Sequence, residues 1–212
     1  MSNPIIENVR KSLGHSNGNT LATRPAIYPS RQAGLANAEI ELFLDEVRKL
    51  AGTTQRTSPQ SVQAALETLV KEEGIRKAAL WDTPYLRKLD VRGTLAGLGV
   101  ELASPNAGKH EMADCDLGIT EADYLLPETG TLVLRSSQEK PRGVSLLPRI
   151  HLAIVRPEQL LADLHQVFDL TRNGHYLVFI TGPSRTADIE LTITLGVHGP
   201  KKLFVWMLEG EI

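Results

Sequence analysis

Two glycine-flanked runs near the carboxyl end of the chain carry the residue types best suited to chemistry. The first reads Thr181-Gly182-Pro183-Ser184-Arg185-Thr186-Ala187-Asp188-Ile189-Glu190. Gly182 admits close backbone approach, and the Ser184 and Thr186 hydroxyls can cap a helix or donate hydrogen bonds. Arg185 offers a planar fork for a carboxylate or phosphate, with Asp188 and Glu190 placed to orient it. The same run also reads as a capped helix start bearing a surface Arg–Asp pair, because Gly-Pro-Ser turns are common. The second run is Leu195-Gly196-Val197-His198-Gly199-Pro200. His198 can protonate a substrate oxygen or hydrogen-bond a carboxylate near neutral pH, or simply satisfy a structural hydrogen bond.

A third segment, Leu126-Pro127-Glu128-Thr129-Gly130-Thr131, is a tight turn running into a strand. A carboxylate there can serve as nucleophile, base or hydrogen-bond acceptor, or be an ordinary turn glutamate. Three distant segments rich in glycine and polar groups are more economical as one site than as three unrelated turns. The expected site has Glu128 and His198 acting on the substrate. Thr129, Gly130, Gly182, Ser184, Arg185, Thr186, Asp188 and Gly199 hold it, Arg185 being the anion anchor.

Those turns must be carried by regular elements. Ile40, Phe43, Leu44, Val47 and Leu50 fall on one helical face, with Gly52 as the stop. Ser58-Pro59 opens a second helix striped by Val62, Ala65, Leu66, Leu69 and Val70, and Gly74 ends it. Strands are expected at residues 77–81, 100–103, 131–134, 151–155, 176–181 and 202–208, with a helix from Pro84 and a short one before residue 151. Pro157 starts a helix whose stripe is Leu160, Leu161, Leu164, Val167 and Phe168, ended by Asn173-Gly174. The run at 176–181 is almost wholly apolar, which predicts a central strand. Helices alternating with short apolar strands predict an α/β fold, a mostly parallel sheet with helices on both faces. In such sheets ligands sit beyond the carboxyl ends of the strands. Residues 1–35, with the polar run Gly14–Thr20, are expected to form a flexible tail apart from a short amphipathic turn at Ile5, Ile6 and Val9. Residues 36–212 form the single domain.

Composition narrows the function. The 212 residues carry 23 basic and 25 acidic side chains, a net charge of −2, without the clustered cations that a nucleic-acid surface needs. No apolar run reaches membrane-spanning length, and the first residues lack the pattern of a secretory leader, so a cytoplasmic location is expected. Cys115 is the one cysteine, too few for an iron–sulfur cluster or a thiolate zinc site. There is no Walker loop, and no G-x-G-x-x-G follows a strand. His110, Glu111 and Asp114 lie near Cys115, but nothing in their spacing fixes a metal site. No cofactor and no metal are expected.

Several stretches together carry a family resemblance: Gly118-Ile119-Thr120-Glu121-Ala122-Asp123, Glu128-Thr129-Gly130-Thr131, Leu146-Leu147-Pro148, and the runs 181–190 and 196–200. In order and spacing they resemble the LUD family over about residue 36 to the end. The resemblance implies a fold similar to the sugar-phosphate isomerase and CoA-transferase group. It also implies a part in bacterial oxidation of L-lactate to pyruvate, in a system of three proteins whose companions carry the iron–sulfur clusters. The absence of a cysteine motif matches the small members of the family. One expectation is therefore a non-redox, small-acid-binding component, its ligand a hydroxy- or keto-acid held by the Arg185 and His198 loops. The alternative is a stand-alone enzyme of the acyl- or CoA-transfer kind using Glu128, by analogy of fold.

Overall fold

The structure, a computed structural model, describes residues 4–12, 31–171, 176–187, 193–196 and 198–210. Two compact units divide at Ser30 and Arg31. The first contributes helix α1 (Pro4–Ser12), which carries Ile5, Ile6 and Val9. Of the expected tail, residues 1–3 and 13–30 lie outside the described residues.

The second unit begins with α2 (Ala36–Lys49), which buries Ile40, Phe43, Leu44 and Val47 as its stripe requires. The left-handed residue after it is Ala51, φ 65°, one position before the expected Gly52. Strand β1 (Thr53–Thr57) follows, then a 3-10 turn over Pro59–Ser61 and helix α3 (Val62–Glu73), closed by Gly74 at φ 63°. Next come β2 (Lys77–Leu80) and α4 (Pro84–Lys88), whose cap Thr83 accepts from the Leu86 N–H. The middle of the chain forms α5 (Val91–Gly97), β3 (Glu101–Leu102), α6 (Lys109–Ala113), β4 (Leu117–Glu121) and β5 (Tyr124–Leu126). The turn Pro127–Thr129 leads to β6 (Thr131–Ser136), α7 (Gly143–Leu146) and β7 (Ile150–Val155). The last elements are α8 (Leu164–Leu170), β8 (Tyr176–Ile180), β9 (Arg185–Ala187), β10 (Ile193–Leu195) and β11 (Lys202–Leu208).

The principal sheet has six parallel strands in the order β1-β11-β7-β4-β2-β3. Every residue of β4 and β7 is buried, which requires cover on both faces of the sheet and accounts for the unbroken apolar run Leu152–Val155. The fold is α/β, as the pattern of elements predicts. β1 has no apolar residue; it is an edge strand paired to β11, and so gave no hydrophobic signal. Among the described residues no helix is long and apolar enough to cross a membrane.

Three expectations are corrected. β8 is not central: it is the outer strand of a separate antiparallel sheet, β5-β6-β8. Its Tyr176 and Phe179 remain 61% and 42% exposed. The single helix from Pro157 is two pieces, a 3-10 turn at Pro157–Gln159 and α8. Between them Leu160 is extended and bridges Leu125, while the Gln159 amide donates to the Ala122 carbonyl and pins the turn to the end of β4. Asp163 then starts α8 afresh by accepting from the Gln166 N–H at 3.2 Å. Asn173-Gly174 lies outside the described residues. After Thr181 the described residues form no helix; β9 pairs antiparallel with β10.

Candidate functional site

The two glycine-flanked loops meet. The Ser184 N–H donates to the Pro200 carbonyl at 2.9 Å, and the Gly196 N–H donates to the Ser184 carbonyl at 2.9 Å. The contact is tight: a Cβ on Gly199 would stand 3.0 Å from the Ser184 Cβ. The Lys201 N–H donates to the Arg149 carbonyl at 2.8 Å, fixing the second loop to the start of β7. Together the loops close round a cavity of about 180 Å³. Gly182, Ser184, His198 and Gly199 line it, and Ser145, His151 and Leu203 complete much of the wall.

The position differs from the expected one. His151 and Leu203 are the second residues of β7 and β11, so the cavity lies at the amino ends of these parallel strands. It reaches only one carboxyl end, that of β8 in the small sheet, through Phe179 to Thr181. What lets the α7 backbone lie over this part of the sheet is Gly118 on β4. A Cβ there would come within 1.9 Å of the Val144 carbonyl oxygen, so any side chain would push α7, and with it Ser145, off the sheet.

Ser145 is buried, its hydroxyl donating to the Arg142 carbonyl at 3.0 Å. His151 is wholly buried. Its Nε2 stands 2.8 Å from the Thr120 hydroxyl on the neighbouring strand, and its Nδ1 has no hydrogen-bond partner among the described residues. Burial pushes the imidazole down to about 3, so the ring is neutral at physiological pH. Reasoning from sequence missed His151, because within Ile150–Val155 it looks like one polar interruption of a buried strand. Its signal was faint: a histidine inside a parallel strand with no polar neighbour beside it. His198 is exposed at the rim, where it also borders a depression of about 540 Å³ that carries Arg149 and Lys201. Arg149 is partly engaged, donating to the Glu73 carbonyl at 3.0 Å and lying 3.7 Å from Asp116.

The other expected site residues lie elsewhere. Arg185 turns away from the cavity and donates to the Leu50 carbonyl at the end of α2. Thr186 lies within β9, and Asp188 is outside the described residues. Glu128 and Thr129 line a second cavity, of about 380 Å³, with Thr131, Asp163 and His165. Gly130 makes the turn, at φ 58°, in close contact with α2, where a Cβ would meet the Val47 nitrogen at 2.7 Å. The Glu128 carboxylate pairs with Arg31 at 3.1 Å, and Arg31 also holds the buried Glu39. The two cavities share Phe179 and Thr181. A chain of hydroxyls runs between them, Thr129 to Thr131 at 2.7 Å and Thr131 to Thr181 at 2.8 Å.

Among the described residues no group of three or more His, Cys, Asp or Glu is arranged to hold a metal. Cys115 is buried, and burial raises its thiol, so the thiolate needed for nucleophilic or ligand chemistry is disfavoured.

Comparison with known proteins agrees with the motif pattern. The LUD domain matches residues 40–208. Lactate utilization protein C of Halalkalibacterium halodurans is 29% identical, across 92% of this chain and 92% of that protein. Lactate utilization protein C 1 of Bacillus mycoides is 33% identical, across 79% of this chain and 78% of its own length. A crystal structure of a DUF162 family protein from Deinococcus radiodurans superposes with a TM-score of 0.63 at 18% identity. It covers 84% of this chain and all of that one, and shows the shared fold.

Proposed function

The chain belongs to the LUD domain family, and from that premise we propose that it is a non-redox, small-acid-binding component of a bacterial lactate utilisation system. The observation that carries this reading is the closure of the loops at 181–184 and 198–200 round one cavity. At about 180 Å³ the cavity is smaller than the ~300–1,000 Å³ typical of pockets for drug-sized ligands. It holds about six waters at ~30 Å³ each. That suits a three-carbon hydroxy- or keto-acid and is too small to enclose a dinucleotide or CoA. The acid's carboxylate lies at the rim by His198, on the side of the depression carrying Arg149 and Lys201. Its carbon skeleton lies inward against Leu146, Phe179 and Leu203.

The names of the relatives support the lactate system as the setting. With a single, buried cysteine, electron transfer falls to partner proteins of the system bearing iron–sulfur clusters, in the cytoplasm. The test is calorimetric titration of L-lactate and pyruvate into the full chain and into His198→Ala. A charge-assisted hydrogen bond contributes on the order of 1.5–3 kcal/mol, so the variant should bind at least tenfold more weakly with an unchanged melting temperature. Failure of both acids to bind the unaltered protein overturns the reading.

A further inference from the structure

His151, like Ser145, is a polar group of this cavity that neither loop motif accounts for. Its ring is held from one side only. The Thr120 hydroxyl meets Nε2 at 2.8 Å, and among the described residues Nδ1 has no hydrogen-bond partner. Two tautomers are compatible with this contact. If Nε2–H donated to Thr120, the hydroxyl proton of Thr120 and the lone pair of Nδ1 would both be left unpaired in a buried setting. If the Thr120 hydroxyl donates to Nε2, the Nδ1–H is left unpaired and the hydroxyl oxygen accepts no hydrogen bond. Only the second arrangement presents a donor at Nδ1, and it is the one the proposal below requires.

With its proton on Nδ1, an unpaired ring nitrogen in a wholly buried side chain that lines a cavity is a preset donor. Two features keep it in place. Gly118, directly opposite His151 in the β4–β7 register, leaves no side chain to compete for the ring. α7, which that glycine admits, closes the space above it with Ser145. Because burial keeps the ring uncharged, the group recognises an acceptor atom and does not form an ion pair with a carboxylate.

We propose that His151 is a specificity-determining residue of this cavity, its Nδ1–H donating to the carbonyl or hydroxyl oxygen of a small ligand. For the ligand's being an acid the inference rests on the function proposed above; for the donor it rests on the geometry of His151 and Thr120 alone. In a 2-keto or 2-hydroxy acid the recognised atom is the oxygen on the second carbon, while the carboxylate stays at the rim near His198.

The experiment uses the full chain with 15N-labelled histidine. Two-bond 1H–15N spectra read the tautomer, and the resonances are followed while pyruvate, L-lactate and the neutral carbonyl acetamide are added in turn. The Nδ1–H tautomer is expected, with a saturable shift of Nδ1 on adding pyruvate or L-lactate. His151→Asn, whose amide can place a donor near the Nδ1 position, should bind within about threefold of the unaltered protein. His151→Phe, of similar shape without a donor, should bind at least tenfold more weakly. Should either fail to fold, Thr120→Val keeps the ring and removes its partner, and it should shift the tautomer and weaken binding. An Nε2–H tautomer overturns the inference. So does equal binding of the acids by His151→Phe, an outcome that leaves the small-acid reading intact. If neither acid binds but acetamide shifts Nδ1 saturably, the donor stands and the acid reading falls. If no probe moves Nδ1, the group serves a resident water only and the inference fails.

Discussion

The two ends of the parallel sheet solve the same problem in opposite ways. At the carboxyl ends of β4 and β7, Glu121 is buried and accepts from the Thr83 hydroxyl, and Arg156 lies 3.6 Å from its other oxygen. Arg156 also stacks over the Tyr85 ring, 4.0 Å from its centroid. Its Nε approaches Glu158 at 3.1 Å without hydrogen-bond geometry. Nearby, Asp123 is closed off by Arg135 and Lys140, at 3.1 and 2.7 Å. At the amino ends of β7 and β11 there is instead a cavity, two glycine-bearing loops and an imidazole with one nitrogen unpaired. Ligand sites of doubly wound sheets usually lie at the carboxyl end. In this chain the carboxylates at that end are paired with neighbouring cations, and Arg156 Nε is the buried nitrogen there without a hydrogen bond, whereas the unpaired nitrogen at the other end belongs to a residue lining a cavity. A site is better located by its unsatisfied groups than by the direction of the strands.

The largest effect expected from this contrast is on acid stability. Unfolded, His151 takes up a proton near the ordinary value of about 6.5; folded, it resists until about 3. The unfolded chain therefore binds the extra proton between those values, and stability is full above about 6.5 and falls as the pH drops. Linkage puts the loss near pH 4 at about 3 kcal/mol. Denaturant unfolding from pH 7 to 4 should show a slope that His151→Phe reduces by that amount. Parallel slopes in the two proteins would mean that His151 is solvated, and the contrast between the two ends would lose its main support.

Arg156→Ala strikes the closed end. It leaves Glu121 buried without its cation, and because Arg156 is itself 26% exposed the loss is set below the range for fully buried pairs, at about 2 kcal/mol. For a domain of this size that is a fall of about 4–8 °C in melting temperature. Titration of the same preparation with pyruvate should give unchanged affinity. A loss of binding without a loss of stability would move the site to the carboxyl end.

Ser184→Ala tests the open end more gently. A neutral hydrogen bond contributes about 0.5–1.5 kcal/mol, so binding should weaken about two- to tenfold while the melting temperature holds. The smallest effect is expected at Arg185. Its guanidinium is exposed and bonded to a carbonyl of α2, so Arg185→Lys should change stability by less than about 0.5 kcal/mol and leave acid affinity within twofold. A tenfold loss would return Arg185 to the site as its anion anchor.

Much of this was legible in the residues. Stripes such as Ile40, Phe43, Leu44 and Val47 define α2, and Pro84 and Gly74 mark a helix start and a helix end, because these signals act through a few neighbouring residues. The motif runs 118–123, 128–131, 181–190 and 196–200 point to the LUD family, and the two loops that close the cavity are among them. β1 was not legible, since an edge strand of polar residues has no periodicity to read. Neither was the break at Leu160, which depends on Gln159 reaching the carbonyl of Ala122, 37 residues away.

The amino-acid sequence by itself determined the α/β class, the family and the pair of glycine-flanked loops, all carried by local pattern. Tertiary structure alone decided where those pieces act. An apolar run such as Tyr176–Ile180 has the same composition whether it sits in the middle of a parallel sheet or at the rim of an antiparallel one; its pairing with β6 settles which. Arg185 has the same fork whether it faces a ligand or the end of α2, and in the folded chain it donates to the Leu50 carbonyl there. His151 is an ordinary strand residue until Thr120 takes one ring nitrogen and α7 closes over Gly118. Direction, partner and burial are long-range properties, and they made the cavity.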